Sequence, residues 1–273
     1  MTRLVHLTDL HFGLHRQDLV RPLADSILST DCDVVVVSGD LTQRARVGQF
    51  RASLAFLDGL ALPYLAVPGN HDIPLFNPFL RLFDPFGRYR RHVAQNMAPI
   101  VEIGRLRLCA INTGNPFRWR GGIARREEIA RICESLRARA DDMTNILISH
   151  HPLEEPPGFI RGETRGARDA LANLAKAGVH IILSGHLHYW STGLGIIGHK
   201  GRRVFQMQTG TALCNRQKDR DHGFAVLDIG RDSLSVTPWI VNEATARFEP
   251  RAKARFAVRG GCWLPENTTR PPA

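Results

Sequence analysis

Leu4-Val5-His6-Leu7-Thr8-Asp9-Leu10-His11 decides how this chain reads: an apolar run of strand length stops on two groups that can bind a cation. The same construction recurs four times. Val34 to Val37 leads into Gly39-Asp40, Tyr64 to Val67 into Gly69-Asn70-His71-Asp72, Ile146 to Ile148 into Ser149-His150-His151-Pro152, and Ile181 to Leu183 into Gly185-His186-Leu187-His188. Short apolar runs bounded by turn residues are the mark of buried strands. Polar clusters at their ends are expected to meet at one edge of one sheet. Two carboxylates, one amide and four imidazoles are delivered this way. That inventory suits a pair of divalent transition-metal ions, and paired ions do phosphoryl chemistry.

Helical stretches separate the runs. Strand 2–8 precedes a helix near 17–30, strand 33–38 a helix near 47–59, and strand 64–68 an irregular stretch. Apolar runs at 99–111, a helix near 125–139, strand 144–149, a helix near 166–177 and strand 179–184 follow. This alternation predicts a layered α/β fold. After His188 the runs at 192–198, 202–208, 222–229 and 233–239 are short and β-rich, as in a meander that adds strands to a second sheet. With no internal repeat and no low-complexity linker before residue 240, one domain over 1–245 is expected. Residues 246–273 read as a basic, Pro- and Thr-containing tail whose last residues are disordered. Within 73–92, Phe76, Phe79, Phe83 and Phe86 recur at roughly helical spacing among Arg81, Arg88, Arg90 and Arg91. A helix packed on the core with solvated arginines accounts for this. A lid over the site, or a surface that meets a subunit or lipid, accounts for it as well.

Bulk composition excludes several classes. With 273 residues, 43% hydrophobic and 23% charged, the chain can bury an ordinary globular core. No apolar run approaches the roughly eighteen residues of a membrane span. A cleaved signal is not expected, because removing it would remove Asp9 and His11. Cys32, Cys109, Cys133, Cys214 and Cys262 form no CxxC pair and read as reduced thiols, which places the chain in the cytoplasm. The formal charge of +10 suits anionic partners, but only four of the basic residues are Lys and the arginines form no single block.

Spacing gives the clusters their chemistry. Asp9 and His11 lie two apart on an extended segment, so both side chains face one way, and His186 and His188 repeat the device. Asp40 follows a glycine, where a tight turn lets its carboxylate bridge two cations, while Asn70 offers a carbonyl oxygen and His150 another imidazole. Gly39, Gly69 and Gly185 suit close backbone approach or positive φ. His6 and His180 lie inside strands and read as packed side chains. Arg118, Arg120, Arg125 and Arg126 flank Gly121-Gly122 within reach of a phosphate or of solvent.

Taken together, D-x-H, GD, GNHD, H and GH-x-H resemble the signature of the calcineurin-like metallophosphoesterases, over roughly residues 2–210. Leu7-Thr8-Asp9-Leu10-His11, Ser38-Gly39-Asp40-Leu41-Thr42, Val67-Pro68-Gly69-Asn70-His71-Asp72 and His150-His151-Pro152 look closest to the bacterial class III cyclic nucleotide phosphodiesterases. Leu153 departs from that branch, which often has a second Pro there. The resemblance implies a four-layer α/β/β/α sandwich of two mixed sheets flanked by helices. It also implies that Asp9, His11 and His188 hold one ion, that Asn70, His150 and His186 hold the other, and that Asp40 bridges. His151 stays open as a ligand in place of His150. A bridging hydroxide would attack phosphorus, His71 would serve the leaving alkoxide as general acid or hydrogen-bond donor, and Asp72 would orient His71. Replacing Asp40 should do more damage than replacing His71, since both ions depend on it.

The activity so implied is metal-dependent phosphodiester hydrolysis, with a small diester, 3′,5′-cyclic nucleotides foremost, as substrate. Mn, Fe, Zn or Co all suit the ligands. A nuclease acting on linear nucleic acid and a lipid-linked pyrophosphate hydrolase at the membrane surface remain open, the latter through peripheral contact by 73–92. A homodimer through the 73–92 segment or the tail is a further expectation. A non-catalytic scaffold is disfavoured because every ligand and His71 are retained.

Overall fold

A computed structural model describes residues 1–138, 142–155, 163–197, 203–216, 221–259 and 262–266. In chain order its elements begin with β1 (Thr2–Leu7), α1 (Gln17–Leu28), β2 (Val34–Val37), α2 (Val47–Gly59), β3 (Tyr64–Ala66), α3 (Pro78–Phe83) and α4 (Gly87–His92). Next come β4 (Ile100–Ile103), β5 (Leu106–Ala110), α5 (Arg126–Arg137), β6 (Thr144–Ile148), α6 (Ala167–Ala177) and β7 (Ile181–Ser184). The chain continues with β8 (Ser191–Ile197), β9 (Arg203–Gln208), β10 (Gly223–Ile229), β11 (Ser233–Asn242), β12 (Arg247–Pro250), β13 (Ala254–Arg259) and β14 (Cys262–Pro265).

One sheet runs β14-β13-β11-β10-β1-β2-β3, with β12 paired to β11, and the other runs β4-β5-β6-β7-β9-β8. Both are mixed. β1, β2 and β3 are parallel while β10 lies antiparallel to β1. β5, β6, β7 and β9 are parallel, flanked by antiparallel β4 and β8.

Alternation along each strand builds the layers, since successive side chains point to opposite faces. Val34 and Val36 join Leu108, Ile146, Ile148 and Leu183 in the core between the sheets. Val35 and Val37 point the other way, onto Leu19, Leu23 and Ile27 of α1 and Phe50 and Leu57 of α2. On the far side Cys109, Leu147 and Ile182 meet Ile129 and Ile132 of α5 and Leu171 and Leu174 of α6. Helix, sheet, sheet and helix thus stack as expected. Strands buried on both faces read as continuous apolar runs, which is why β2 is four valines.

Three features differ from the sequence expectation. The runs after His188 do not all join the second sheet. β8 and β9 do, but β10 and β11 pass to the first, because β10 is buried along its whole length and takes a central place beside β1. Residues 247–265, set apart as tail, supply β12, β13 and β14 of the first sheet; the expectation for the final residues lies outside the described ones. Finally, 73–92 is two short helices. Pro85 disfavours helical backbone at Asp84, which sits at φ −147 and ψ 61. Of the two helices only α4 packs on the core: its Tyr89 and the preceding Phe86 are buried, whereas α3 buries no residue.

Candidate metal centre

The five clusters meet at one place, but they arrive from two facing sheets. Asp9, Asp40 and Asn70 follow β1, β2 and β3 of the first sheet, while His150 and His186 follow β6 and β7 of the second. The expectation of a single sheet edge is corrected accordingly. Within each sheet these strands are parallel, so their C-terminal ends share an edge, where open α/β folds place their ligands.

The backbone there is bent hard. Asp9, His11, Asp40, His186 and His188 all have φ between 49° and 73°, half of the ten non-glycine residues with positive φ among those described. Such conformations cost free energy and persist where side chains must be aimed. Glycines make the room. Gly39 has φ +96, and a Cβ on Gly69 would fall 2.1 Å from Asp40 Oδ1.

The first donor group joins Asp9, His11 and His188. His188 Nε2 lies 3.0 Å from Asp9 Oδ1 and 3.3 Å from His11 Nε2. Asp9 is buried and braced on its other oxygen, which accepts from the Thr8 hydroxyl (2.6 Å) and the His186 amide (3.0 Å). In the second group, Asn70 Oδ1 is 3.1 Å from His150 Nε2 and 3.0 Å from His186 Nδ1, and the Asn70 amide donates to the Trp119 carbonyl. Asp40 joins the two. Its Oδ2 is 3.5 Å from His11 Nε2 and 3.4 Å from His150 Nε2, and its Oδ1 accepts from the His71 amide at 2.8 Å.

Both imidazoles of the His150-His151 pair come to this group: with His186, their ligand atoms lie within 4.8 Å of one another. His150 Nδ1 donates to the Ser38 carbonyl (2.8 Å), which leaves Nε2 facing Asn70 and Asp40. His151 turns its Nδ1 to Thr113 Oγ1, 2.9 Å away.

The donors fit cations. His11 and His188 face each other, nitrogen to nitrogen, beside a carboxylate oxygen, and such a set of N and O atoms is a metal-ligand set. Buried His11 Nδ1 has no hydrogen-bond partner among the described residues. Burial pushes His186 down to about 3 and lowers His11 as well, so both imidazoles are neutral and able to donate lone pairs at neutral pH. At His150 burial is outweighed by Asp40, and its pKa rises to about 9. Burial also opposes charge on Asp40 and Asp9. The surrounding imidazoles prevail, His150 foremost for Asp40 and His188 for Asp9, and hold both carboxyls below their usual range.

His71 stands beside this cluster, its ring 4.8 Å from that of His11. Its Nδ1 donates to the Gln43 carbonyl (2.9 Å), and its Nε2 accepts from Arg216 Nη2 (2.8 Å). Arg44 Nη1 lies 3.0 Å from Nδ1. Burial, with help from His11 and Arg216, brings His71 down to about 4 against the opposing pull of Asp40. Asp72 does not orient this ring. Its carboxylate accepts from the amides of Leu41, Thr42 and Gly69 and from the Thr42 hydroxyl, tying the loop after β2 to the loop after β3. The chain turns Asp72 into the fold, away from the cavity.

Around the cluster lies a cavity of about 450 Å³, lined among others by Arg44, His71, Trp119, Arg120 and Arg216. Arg44, Trp119 and Arg216 escaped the sequence reading. Arg44 follows the GD cluster by four residues, a spacing that could have flagged it; Arg216 stands near no motif. Cys214 was read only as a thiol, yet its sulfur lies within 4.8 Å of ligand atoms of His11 and His188. Of the arginines around Gly121-Gly122, Arg120 lines the cavity, while Arg125 is spent on the carbonyls of Asn112 and Gly114. His6 is buried in β1 as expected and bonds Ser38 and Thr209, whereas His180 stands just before β7, half-buried, and accepts from the Asn145 amide.

Comparison with known proteins agrees with this geometry. The family model for calcineurin-like phosphoesterases matches residues 2–190. A probable cyclic nucleotide phosphodiesterase of Synechococcus sp. is 24% identical over 243 residues, covering 84% of this chain and 88% of that protein. The DNA double-strand break repair protein Mre11 of Haloferax volcanii is 36% identical over 104 residues, which span 32% of this chain but only 23% of that protein. Among solved structures, a dimetal phosphatase from Danio rerio shares the fold with a TM-score of 0.65 at 14% identity, over 87% of this chain and 95% of that one.

Proposed function

The chain belongs to the calcineurin-like phosphoesterases, and on that premise we propose that it is a phosphodiesterase that works with two divalent ions and prefers 3′,5′-cyclic nucleotides. One observation carries the reading: Asp40 Oδ2 stands within 3.5 Å of an imidazole nitrogen from each donor group. Asp9, His11 and His188 would hold one ion, Asn70, His150 and His186 the other, and Asp40 both. When bound, such a pair supplies Lewis acidity to phosphate oxygens and a water nucleophile ionised near neutral pH. The mixed N and O donors admit Mn, Fe, Zn or Co.

The chain's own residues do the rest. Gln43 and Arg216 fix the His71 ring from both sides, so its Nε2 edge and the Arg216 guanidinium face the same part of the cavity. A leaving alkoxide there meets the Arg216 guanidinium, which supplies both N–H donors and positive charge and which His71 Nε2 holds in place by accepting one of its N–H groups. Arg44 and Arg120 add charge for phosphate oxygens, and Trp119 offers a flat face for a base. A cavity of this volume suits a mononucleotide. Likeness to a probable cyclic nucleotide phosphodiesterase over most of the chain supports that substrate class.

The test is conversion of 3′,5′-cyclic AMP to AMP by chelator-stripped protein resupplied with Mn²⁺, with a nitrophenyl phosphodiester as control. Efficient AMP formation is expected. Turnover of the control alone would retain the phosphodiesterase and discard the nucleotide. A lipid-borne phosphodiester or pyrophosphate is then next, because the exposed Trp119 lines the cavity and the exposed Phe76 lies against Arg44 on its wall.

A further inference from the structure

Eleven large hydrophobic side chains are exposed among the described residues, and six of them come from two short segments that reach the cavity at Trp119 and at Arg44. Phe76, Phe79, Leu82 and Phe83 belong to one, Phe117 and Trp119 to the other, with exposures from 57% to 79%. The core does not need them, since α3 buries nothing. Phe79 and Phe83 touch, ring centroids 4.7 Å apart. Arg81 ties the segments together by donating to the Arg118 carbonyl at 3.1 Å. The patch is also continuous with the cavity: Arg44, on the cavity wall, lies 5.7 Å over the Phe76 ring, and Trp119 lines the cavity itself.

Soluble proteins rarely leave an apolar patch of this kind facing water without a partner. Its charge says what kind of partner. Residues 73–83 and 115–120 contain no Asp or Glu but carry Arg81, Arg118 and Arg120, in a chain of formal charge +10. Apolar tips interleaved with guanidinium groups match an anionic lipid surface, where rings enter the acyl boundary and cations meet headgroup phosphates. A second copy fits less well, because a twofold contact would set these arginines against their own copies, and the adjoining carboxylate, Asp84, is already paired with Arg90. No helix among the described residues is long and apolar enough to cross a membrane. We propose that this rim docks the protein peripherally on anionic bilayers, with the cavity mouth facing the lipid. The inference goes beyond the phosphodiesterase reading and holds whatever the substrate.

Vesicle sedimentation tests it, with full-length, metal-stripped protein so that the result does not depend on hydrolysis. Vesicles of phosphatidylcholine alone are compared with vesicles containing about a third phosphatidylglycerol, at low and high salt. The protein should pellet with the anionic vesicles at low salt and stay in solution with the neutral ones. The variant Phe79→Ser/Leu82→Ser/Phe83→Ser, which leaves Phe76 under Arg44, should partition roughly tenfold more weakly. The same variant, resupplied with metal, should hydrolyse a soluble nitrophenyl diester at the parent rate. Failure to pellet with either vesicle, or undiminished pelleting of the triple variant, overturns the proposal. A concentration-dependent dimer seen by light scattering without vesicles, and abolished in the variant, would give the rim to a second copy and overturn it equally.

Discussion

At His71 two guanidinium groups converge on one imidazole, and no carboxylate answers Arg44 or Arg216 among the described residues. A poor leaving group needs that charge, and a nitrophenolate does not. His71→Ala is therefore expected to slow an alkyl-ester diester about 10²–10⁴-fold and a nitrophenyl diester far less. Arg216→Ala should show the same selectivity, partly restored by Arg216→Lys; equal losses on both substrates would remove the leaving-group role. The ligands themselves were legible because metal-binding residues follow strand ends, but their aim was not: Asp9 and His11, read as an extended pair facing one way, both have left-handed backbone, as do His186 and His188. The error at Asp72 has another origin. Its partners are backbone amides of two loops, brought together only by the pairing of β2 with β3.

Elements carry the aim of those side chains, through turns that admit no extra atom. A Cβ on Gly69 would lie 2.1 Å from Asp40 Oδ1 and 2.4 Å from the Asp40 amide nitrogen, neither able to retreat without moving the carboxylate between the two donor groups. Gly69→Ala should keep the parent circular dichroism spectrum yet lose activity on the order of 10²-fold, the usual cost of an ångström of misplacement. Its metal-to-protein ratio should fall as well. Parent-level turnover would show that the loop yields and that this account of Asp40 is wrong. Strands β1, β2, β3, β6 and β7 were readable to within a residue or two, because apolar runs and turn residues are local signals, whereas β4 and β5 were read only as apolar runs over 99–111. The split of 73–92 was readable too, at Pro85, but helical phenylalanine spacing concealed it.

Across the whole molecule, alternation along strands foretold two-sided burial but not which sheet each late strand would join. That choice rests on contacts distant in sequence, and one polar cluster records it. Asp228 on β10 accepts from Arg3 on β1 (2.6 Å), from Ser235 on β11 (3.1 Å) and from Lys253 just before β13 (3.2 Å). These bonds fasten residues once read as tail to the strand that delivers Asp9 and His11. Burial opposes the charge of Asp228, but the bonds from Arg3, Lys253 and Ser235 prevail and hold its pKa below the usual carboxylate value. A carboxyl depressed in the folded state stabilises the fold above its unfolded pKa, about 3.9. That contribution is lost as the pH falls through the folded value. Asp228→Asn should accordingly cost about 1–2 kcal/mol at neutral pH, where the parent carboxylate makes charge-assisted bonds that an amide cannot. Urea midpoints of metal-stripped parent and variant should differ at pH 7 and converge as the pH drops below about 4. A gap that persists undiminished in acid would mean that Asp228 acts through its shape alone, and that its ion pairs do not hold the late strands in the first sheet.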